Sequence, residues 1–197
     1  MLLQAVCPLS LRNVLVVGAF TILSRGLHLD GLADSADGLL GGTDRQHSLE
    51  IMKDSRIGTF GTIAVLFVLV LKFRSLDLLV GDSRVAGLVL GPMFSRWAYV
   101  IIAYRAVPAR SDGLGATLMH NVFFREVCGA SVFAGLVTMV LGGVVGVFCL
   151  IFVGGIVYAA MRYCAARLAG MTGDTFGATG ELIETFTFCW FTLSRGA

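Results

Sequence analysis

Charge is scarce in this chain of 197 residues, of which 14% are charged and 56% are hydrophobic. A soluble domain normally carries about 25% charged residues. The apolar residues come in long runs rather than in the one-sided pattern of a helix that faces water. These proportions exclude an ordinary soluble domain and predict an integral membrane protein with several spans.

Other absences narrow the class further. The chain has only three prolines and shows no basic run, so nucleic acid is not an expected partner. Helices satisfy every backbone group internally in lipid and are the expected form of the spans. No cysteine pair has CxxC or metal-ligand spacing, and we interpret the cysteines as small buried hydrophobes. They are Cys7, Cys128, Cys149, Cys164 and Cys189.

The apolar runs predict an all-α fold, a polytopic membrane bundle of five or six transmembrane helices in one domain over residues 1–197. One run, 127–160, is too long for a single span of about 20 residues. Gly142-Gly143 is its natural breakpoint and predicts a hairpin of two short spans. Lys72 is expected at the membrane boundary of an earlier span. The runs lie at about 14–27, 58–71 with an extension toward 80, 85–104, 127–160 and 182–193.

A carboxylate cluster stands out in the segment HLDGLADSADGLLGG, which contains Asp30, Asp34 and Asp37. Acidic residues are costly near lipid, so such a cluster in a membrane protein is a functional-site hypothesis. In a helix, the spacing i, i+4, i+7 holds the three within a wedge of roughly 60°. We predict a helix through this cluster that presents carboxylate oxygens to divalent cations and breaks at Gly41-Gly42.

A second motif, MKDSRIGTFG, adds the carboxylate of Asp54 to the cations Lys53 and Arg56, with Gly58 and Gly61 at the start of a span. A phosphate site needs this mixture, because carboxylates hold Mg²⁺ and arginine binds phosphate oxygens bidentately. The alternative is an interfacial loop with incidental charges. A short helix is expected to end near Arg56.

The third motif, GPMFSRWA, places Arg96 inside a predicted span. An arginine there should face protein or a ligand rather than lipid. The alternative is that Arg96 snorkels to the interface beside Trp97 in an aromatic belt.

The fourth motif, GMTGDTFGATGELIE, stands beside the last apolar run and contains Asp174, Glu181 and Glu184. The two glutamates, at i and i+3, share one helical face. The alternative is a loop that Asp174 caps.

Together and in this order, the four motifs resemble those of the cobalamin synthase family, the adenosylcobinamide-GDP ribazoletransferases. They stand here as HLDGLADSADG, MKDSRIGTFG, PMFSRWA and GMTGDTFGATGELIE, and the resemblance covers nearly the whole chain from about residue 22. Family members usually carry further N-terminal sequence, with a membrane segment, before the first block. We expect this chain to lack part of that region.

The resemblance implies a single transmembrane catalytic domain with Mg²⁺-dependent phosphotransferase activity. It implies transfer of the adenosylcobinamide-phosphate moiety of adenosylcobinamide-GDP to α-ribazole or its 5′-phosphate, which releases GMP and forms adenosylcobalamin or its 5′-phosphate. The expected location is the prokaryotic plasma (inner) membrane, with the active site toward the cytoplasm, where the substrates are. Membrane lipid is an expected partner, and a homo-oligomer remains open.

The resemblance also implies roles for individual residues. The expected metal ligands, for one or two Mg²⁺ ions, are Asp30, Asp34, Asp37 and Asp54. The expected catalytic residues are Asp34, Asp37 and Asp174, among which the general base stays open. The expected substrate-binding residues are Lys53, Arg56, Arg96, Gly31, Gly58, Gly61 and Glu181.

Two other functions use some of the same residue types. A CDP-alcohol phosphotransferase of lipid synthesis also combines an Asp-rich helix with a divalent metal, but its D-x-x-D-G-x-x-A-R fingerprint is not met. A cation-coupled transporter could use the acidic residues as an ion site, yet we find no internal repeat. A cation path gains little from Lys53, Arg56 and Arg96, whereas a diphosphate site needs both signs of charge.

Overall fold

The fold, taken from a computed structural model, is described for residues 8–111, 113–119 and 121–194. Within these ranges all regular secondary structure is helical, apart from an isolated bridge between Pro108 and Met171. The helices are α1 Leu9–Leu23, α2 Leu27–Gly41, α3 Arg45–Ile51, α4 Thr59–Leu78, α5 Gly81–Arg105, α6 Leu114–Met119, α7 Phe124–Leu168 and α8 Gly173–Leu193. The all-α prediction is therefore confirmed. Cys7 lies outside the described residues.

The predicted helix through the carboxylate cluster is α2, which ends as expected at Gly41, before the extended residue Gly42. Its axis is bent by 83° from that of α1, at a turn where Arg25 and Gly26 both have positive φ. The next helix, α3, ends at Ile51, so the prediction of an end near Arg56 is wrong. Beyond α3 the Asp54 carboxylate accepts hydrogen bonds from the Arg56 backbone and side chain, a local arrangement that competes with helix.

The longest element, α7, is interrupted at Gly143, whose φ of 53° and ψ of −144° are not helical. A Cβ on Gly146 would lie 3.0 Å from Cγ2 of Thr138, a contact that a straight helix could not make. Trp97 likewise touches both arms, because its Nε1 donates to Ser131 Oγ at 3.1 Å and its ring lies 3.9 Å from a Cβ built on Gly154. The predicted hairpin at Gly142-Gly143 is confirmed.

Three helices of the described residues, α4, α5 and α7, are long and apolar enough to cross a membrane. The bent pair α1 and α2 adds a fourth if it forms one broken span. The sequence predicted five or six spans, and this criterion gives fewer because it counts the α7 hairpin once and omits α8. Threonines and two glutamates lower the hydropathy of α8. The polytopic helical membrane bundle itself is confirmed.

The polar helix α8 runs through the centre of the bundle, packed against α2, α4 and α5. Most of its residues are buried, and its threonine hydroxyls donate to the carbonyl four residues earlier, as Thr185 does to Glu181 at 2.8 Å. By contrast, α7 exposes large apolar side chains, as a surface against lipid does. They include Val132, Phe133, Leu136, Met139, Val140, Phe148, Ile151 and Phe152. The bundle therefore shields polar groups at its centre.

Two glycines allow α2 and α8 to cross at close range. A Cβ on Gly31 would lie 2.7 Å from the carbonyl oxygen of Asp174, and a Cβ on Gly177 would lie 3.1 Å from Cα of His28. Small residues permit such backbone contact between membrane helices. The crossing carries the first and fourth motifs, so it sets the position of their carboxylates relative to each other.

Candidate active site

Four of the predicted carboxylates converge where α2 crosses α8. Asp34 is repelled by the charges of Asp30, Asp174 and Asp37 and attracted by that of Arg110. Arg110 also lies 3.7 Å from Asp174, from Nη1 to Oδ2. The spacing along α2 places its carboxylates on one side of the helix, and the glycine crossing brings Asp174 to them. We call these four carboxylates and Arg110 the acidic cluster.

Arg110 is a functional candidate that the sequence motifs did not identify. It lies in the loop after α5, and its Nη2 donates to the carbonyl oxygen of Leu49 at 3.1 Å. It thereby joins this loop to α3, beside the acidic cluster. The available signal was weak: a single arginine in a glycine-containing loop, Ala-Arg-Ser-Asp-Gly.

Asp37 connects the first motif to the second. Its Oδ2 accepts from the Gly58 backbone N–H at 2.7 Å, and its Oδ1 accepts from that of Gly61 at 2.9 Å. These amides lie at the N-terminus of α4, where unpaired N–H groups and the helix dipole favour a carboxylate. A Cβ on either glycine would collide with the Asp37 carboxylate. Gly58 and Gly61, predicted to bind substrate, surround this carboxylate, and Gly31 packs against α8.

The other charges of the second motif lie on an exposed loop. Asp54 is paired with Arg56, from Oδ2 to Nη2 at 2.6 Å, and the Arg56 side chain is 86% exposed. The hydrogen bond from Arg56 lowers the pKa of Asp54 to about 2, so Asp54 is ionised at neutral pH. Lys53 is also exposed. Asp54 lies on the loop after α3 and is paired with Arg56, whereas the other three predicted metal ligands lie on α2.

The described residues contain no group of three His, Cys, Asp or Glu side chains placed to hold a metal ion together. The carboxylates of the acidic cluster therefore do not form a complete protein cage for a metal ion. Mg²⁺ usually takes one or two carboxylates, with water and substrate phosphates as its remaining ligands. Its binding here stays a prediction.

A second charged group lies deeper in the bundle. Lys72 on α4 donates through Nζ to Oε2 of Glu181 and to Oε1 of Glu184, each at 2.6 Å. The three residues are 3%, 7% and 6% exposed, in that order. We call them the lysine–glutamate cluster. Lys72, expected at the membrane boundary, is buried inside the bundle, where two acids on α8 pair with it.

Arg96 lies on α5 near this cluster. It is exposed, its Nη1 donates to Ser95 Oγ at 3.0 Å, and its Cζ lies 5.2 Å from the centre of the Tyr99 ring. Arg96 and the lysine–glutamate cluster line one cavity of about 220 Å³. Trp97, the residue after Arg96, packs against the α7 hairpin. Arg96 thus lines a cavity of the bundle while its side chain is exposed, and its role in substrate binding stays a prediction.

A second cavity, of about 340 Å³, lies on the side of the acidic cluster and is lined by Arg110 and Asp174 among others. His28 lines both cavities, so they adjoin at its ring. The His28 ring meets the Tyr99 ring edge-on, with 5.6 Å between centroids. The bundle therefore holds two adjoining cavities, one at the acidic cluster and one at the lysine–glutamate cluster.

Comparison with known proteins gives consistent matches. The family described as cobalamin-5-phosphate synthase matches residues 1–192, which include all four motifs. The proteins that the chain matches include relatives named adenosylcobinamide-GDP ribazoletransferase from three different organisms. The one from Roseiflexus sp. (strain RS-1) is 39% identical over 185 residues, 94% of this chain and 69% of the relative. That from Syntrophobacter fumaroxidans is 38% identical over 183 residues, 92% and 74% of the two chains. The relative from Pseudomonas fluorescens is 40% identical over 182 residues, which are 90% of this chain and 74% of the relative. No solved structure matches the chain.

Proposed function

Because the chain belongs to the cobalamin-5-phosphate synthase family, we propose that it acts as an adenosylcobinamide-GDP ribazoletransferase in cobalamin biosynthesis. A hydroxyl of α-ribazole, or of its 5′-phosphate, attacks the phosphorus nearest the corrinoid arm. GMP leaves, and adenosylcobalamin or its 5′-phosphate forms. The observation that carries the proposal is the convergence of Asp30, Asp34 and Asp174 with Arg110 at one crossing of two membrane helices.

The reaction makes one phosphorus–oxygen bond, breaks another and moves the hydroxyl proton to a base. Asp34 and Asp174 are the candidates for that base, since they lie together at the α2–α8 crossing. Arg110 beside Asp174 would hold a phosphate oxygen, and arginine binds such oxygens through paired N–H groups. Lys53 and Arg56, on the exposed loop that Asp37 joins to α2, would attract the rest of the diphosphate.

Asp30, Asp34 and Asp37 are the proposed Mg²⁺ ligands, and their oxygens are the donors that this ion prefers. Bound Mg²⁺ would neutralise charge that develops on the phosphate oxygens. An incomplete protein cage is consistent with an ion that shares its ligands between protein and diphosphate. Asp54, committed to Arg56, is the weakest of the predicted ligands.

The plasma membrane is the proposed location, with the acidic cluster toward the cytoplasm. Apolar helices α4, α5 and α7 support a membrane location. The cytoplasmic orientation is supported by the proposed substrates, because a GDP-activated corrinoid and a ribazole phosphate are charged and do not cross lipid unaided.

The direct test is turnover by the purified chain in lipid, supplied with adenosylcobinamide-GDP, α-ribazole 5′-phosphate and Mg²⁺. GMP and cobalamin 5′-phosphate are measured together, with and without EDTA. We expect equal amounts of both products with Mg²⁺ and none with EDTA. Products in EDTA would overturn the metal dependence alone, and a folded chain that makes neither product would overturn the transferase.

A further inference from the structure

The lysine–glutamate cluster takes no part in the transfer step described above, yet it is the most deeply buried charged group of the site. Charged side chains within membrane bundles are rare, pair with one another and mark ligand or ion pathways. Lys72 bonds one oxygen of each glutamate, Oε2 of Glu181 and Oε1 of Glu184. The second oxygen of each glutamate is therefore left for another donor.

Both glutamates line the 220 Å³ cavity. Arg96 supplies a guanidinium donor to the same space. Apolar side chains and three further polar residues complete the lining. They are Phe20, Leu23 and Pro92, with Thr21, Ser24 and His28. A flat ring with N–H donors on one edge and acceptors on the next would pair with both the carboxylates and the guanidinium.

The position of this cavity relative to the acidic cluster is set by α8. Asp174, Glu181 and Glu184 follow at i, i+7 and i+10 and share one side of the helix. The rise from Asp174 to Glu181 is about 10 Å, a distance comparable to that between the phosphates and the base of one nucleotide. The two cavities also adjoin at His28. A single nucleotide could therefore reach from one to the other.

We propose that the 220 Å³ cavity binds the guanine base of the nucleotide that leaves. One of Glu181 and Glu184 accepts a hydrogen bond from N1–H and the other accepts one from the exocyclic amine, each through the oxygen that Lys72 leaves free, and Arg96 donates to O6 and N7. Arginine is the usual bidentate partner of those two acceptors. Lys72 is a positioning residue that holds the carboxylates in place. The proposal rests on the proposed function, which supplies a guanine nucleotide.

Other bases satisfy the cavity less well. Adenine presents an amine where guanine has O6, so its donor would face the guanidinium of Arg96. Hypoxanthine keeps O6, N7 and N1–H and lacks only the exocyclic amine. A site built to bond a polar group rejects an analogue that lacks it, because the site's own group is left unpaired.

The test uses GMP, IMP and AMP as probes, with the full chain in lipid nanodiscs and binding followed by calorimetry. We expect GMP to bind roughly tenfold to a hundredfold more tightly than IMP, since one hydrogen bond to a charged group is lost, and AMP to bind more weakly still. Equal dissociation constants for the three nucleotides would overturn the proposal. This comparison needs no variant, so it does not depend on whether a substituted chain folds.

Glu181→Gln and Glu184→Gln then locate the contact. The variant that loses the carboxylate facing the exocyclic amine should bind GMP about as weakly as IMP, whereas the variant that loses the partner of N1–H should bind both nucleotides more weakly. Glu126→Gln is the matched control, because Glu126 lies in the first turn of α7 and a glutamine keeps its capping role. Discrimination retained in both cluster variants would exclude a carboxylate contact.

Turnover of the unsubstituted chain separates this proposal from the function on which it rests. Turnover without discrimination between GMP and IMP would overturn the guanine cavity and leave the transferase in place. Selective GMP binding without turnover would overturn the transferase and leave the guanine cavity in place.

Discussion

Asp34 is the residue at which the charges of the acidic cluster act together, since Asp30, Asp174, Asp37 and Arg110 all influence it. We expect Asp34→Asn to lower turnover by about 10²-fold or more, the usual contribution of a general acid–base group. The amide keeps the size of the side chain, so thermal unfolding should be nearly unchanged. The measurement is the rate of GMP release.

Asp82→Asn is the control for that substitution, because Asp82 is exposed in the first turn of α5, away from the cluster. It should leave turnover as it is. Full activity of Asp34→Asn would remove Asp34 from the reacting centre, whatever the family resemblance implies.

The prediction for Lys72 concerns stability, because this buried residue pairs with two glutamates. Removing one partner of a buried ion pair costs about 3–5 kcal/mol. Lys72→Met should therefore lower the unfolding temperature markedly, by leaving Glu181 and Glu184 without their shared cation. Adding Glu181→Gln and Glu184→Gln to it should recover part of the loss. A single variant as stable as the parent chain would contradict the two hydrogen bonds.

At the scale of single residues, the sequence predicted correctly the features that depend on spacing along one helix. Asp30, Asp34 and Asp37 share a helical face because of their spacing, and α2 confirms that helix. Lys72 and Arg110 could not be recognised in this way. Each acts on residues far away in the chain, so its role depends on how separate helices pack.

The element scale is dominated by the crossing of α2 and α8, where Gly31 meets the Asp174 backbone. Gly31→Ala would force the helices apart, because neither backbone can move alone, and overpacking of this kind costs typically about 1–3 kcal/mol. We expect lower stability and a larger relative loss of turnover, since Asp174 would move away from Asp34. Thermal unfolding and GMP release measure the two effects.

Gly129→Ala provides the contrast, because a Cβ there would meet nothing within 4 Å. In the middle of a helix alanine is favoured over glycine by up to about 1 kcal/mol, so this variant should be at least as stable as the parent chain. If both alanine variants behaved alike, close packing at Gly31 would not be what places Asp174.

Breaks between elements were predictable where a glycine pair interrupts an apolar run, as at Gly142-Gly143. The end of α3 was not, because the hydrogen bonds between Asp54 and Arg56 decide it and side-chain geometry is invisible in a hydropathy pattern. Gly31, predicted to bind substrate, touches the Asp174 backbone on α8, and sequence spacing does not distinguish such a contact from contact with a ligand.

For the whole molecule, hydropathy ranks each helix alone and does not show which one is central. The α8 helix is polar yet lies inside, where α2, α4 and α5 cover it. The apolar arms of α7 lie outside and expose large apolar side chains. The sequence thus predicted a membrane bundle correctly, and its span count was too high by the criterion of length and hydropathy.

The packing also assigns the chain's loops to two ends of the bundle. Arg45 donates to the carbonyls of Leu168 and Ala109, each at 2.8 Å, so α3, the end of α7 and the loop after α5 share one end. The acidic cluster lies at this end. A Cβ on Gly142 would lie 3.1 Å from Leu90, so the α7 turn lies toward the other end, with the start of α5.

Basic residues favour the end that carries the acidic cluster. They include Lys53, Arg56, Arg105, Arg110, Arg125, Arg162 and Arg167. Loops rich in lysine and arginine stay in the cytoplasm. This distribution supports the proposed orientation, which puts the acidic cluster within reach of charged cytoplasmic substrates. The orientation can be tested on the whole chain.

Single cysteines can report the orientation in intact cells treated with a membrane-impermeant maleimide. Gln46→Cys marks the acidic end and Asp82→Cys the opposite end, and both positions are exposed. The background chain carries Cys128→Ser, because Cys128 is exposed as well. We expect Asp82→Cys to be labelled in intact cells and Gln46→Cys only after lysis. The reverse pattern would place the acidic cluster outside the cell, where a nucleotide-activated substrate made in the cytoplasm could not reach it.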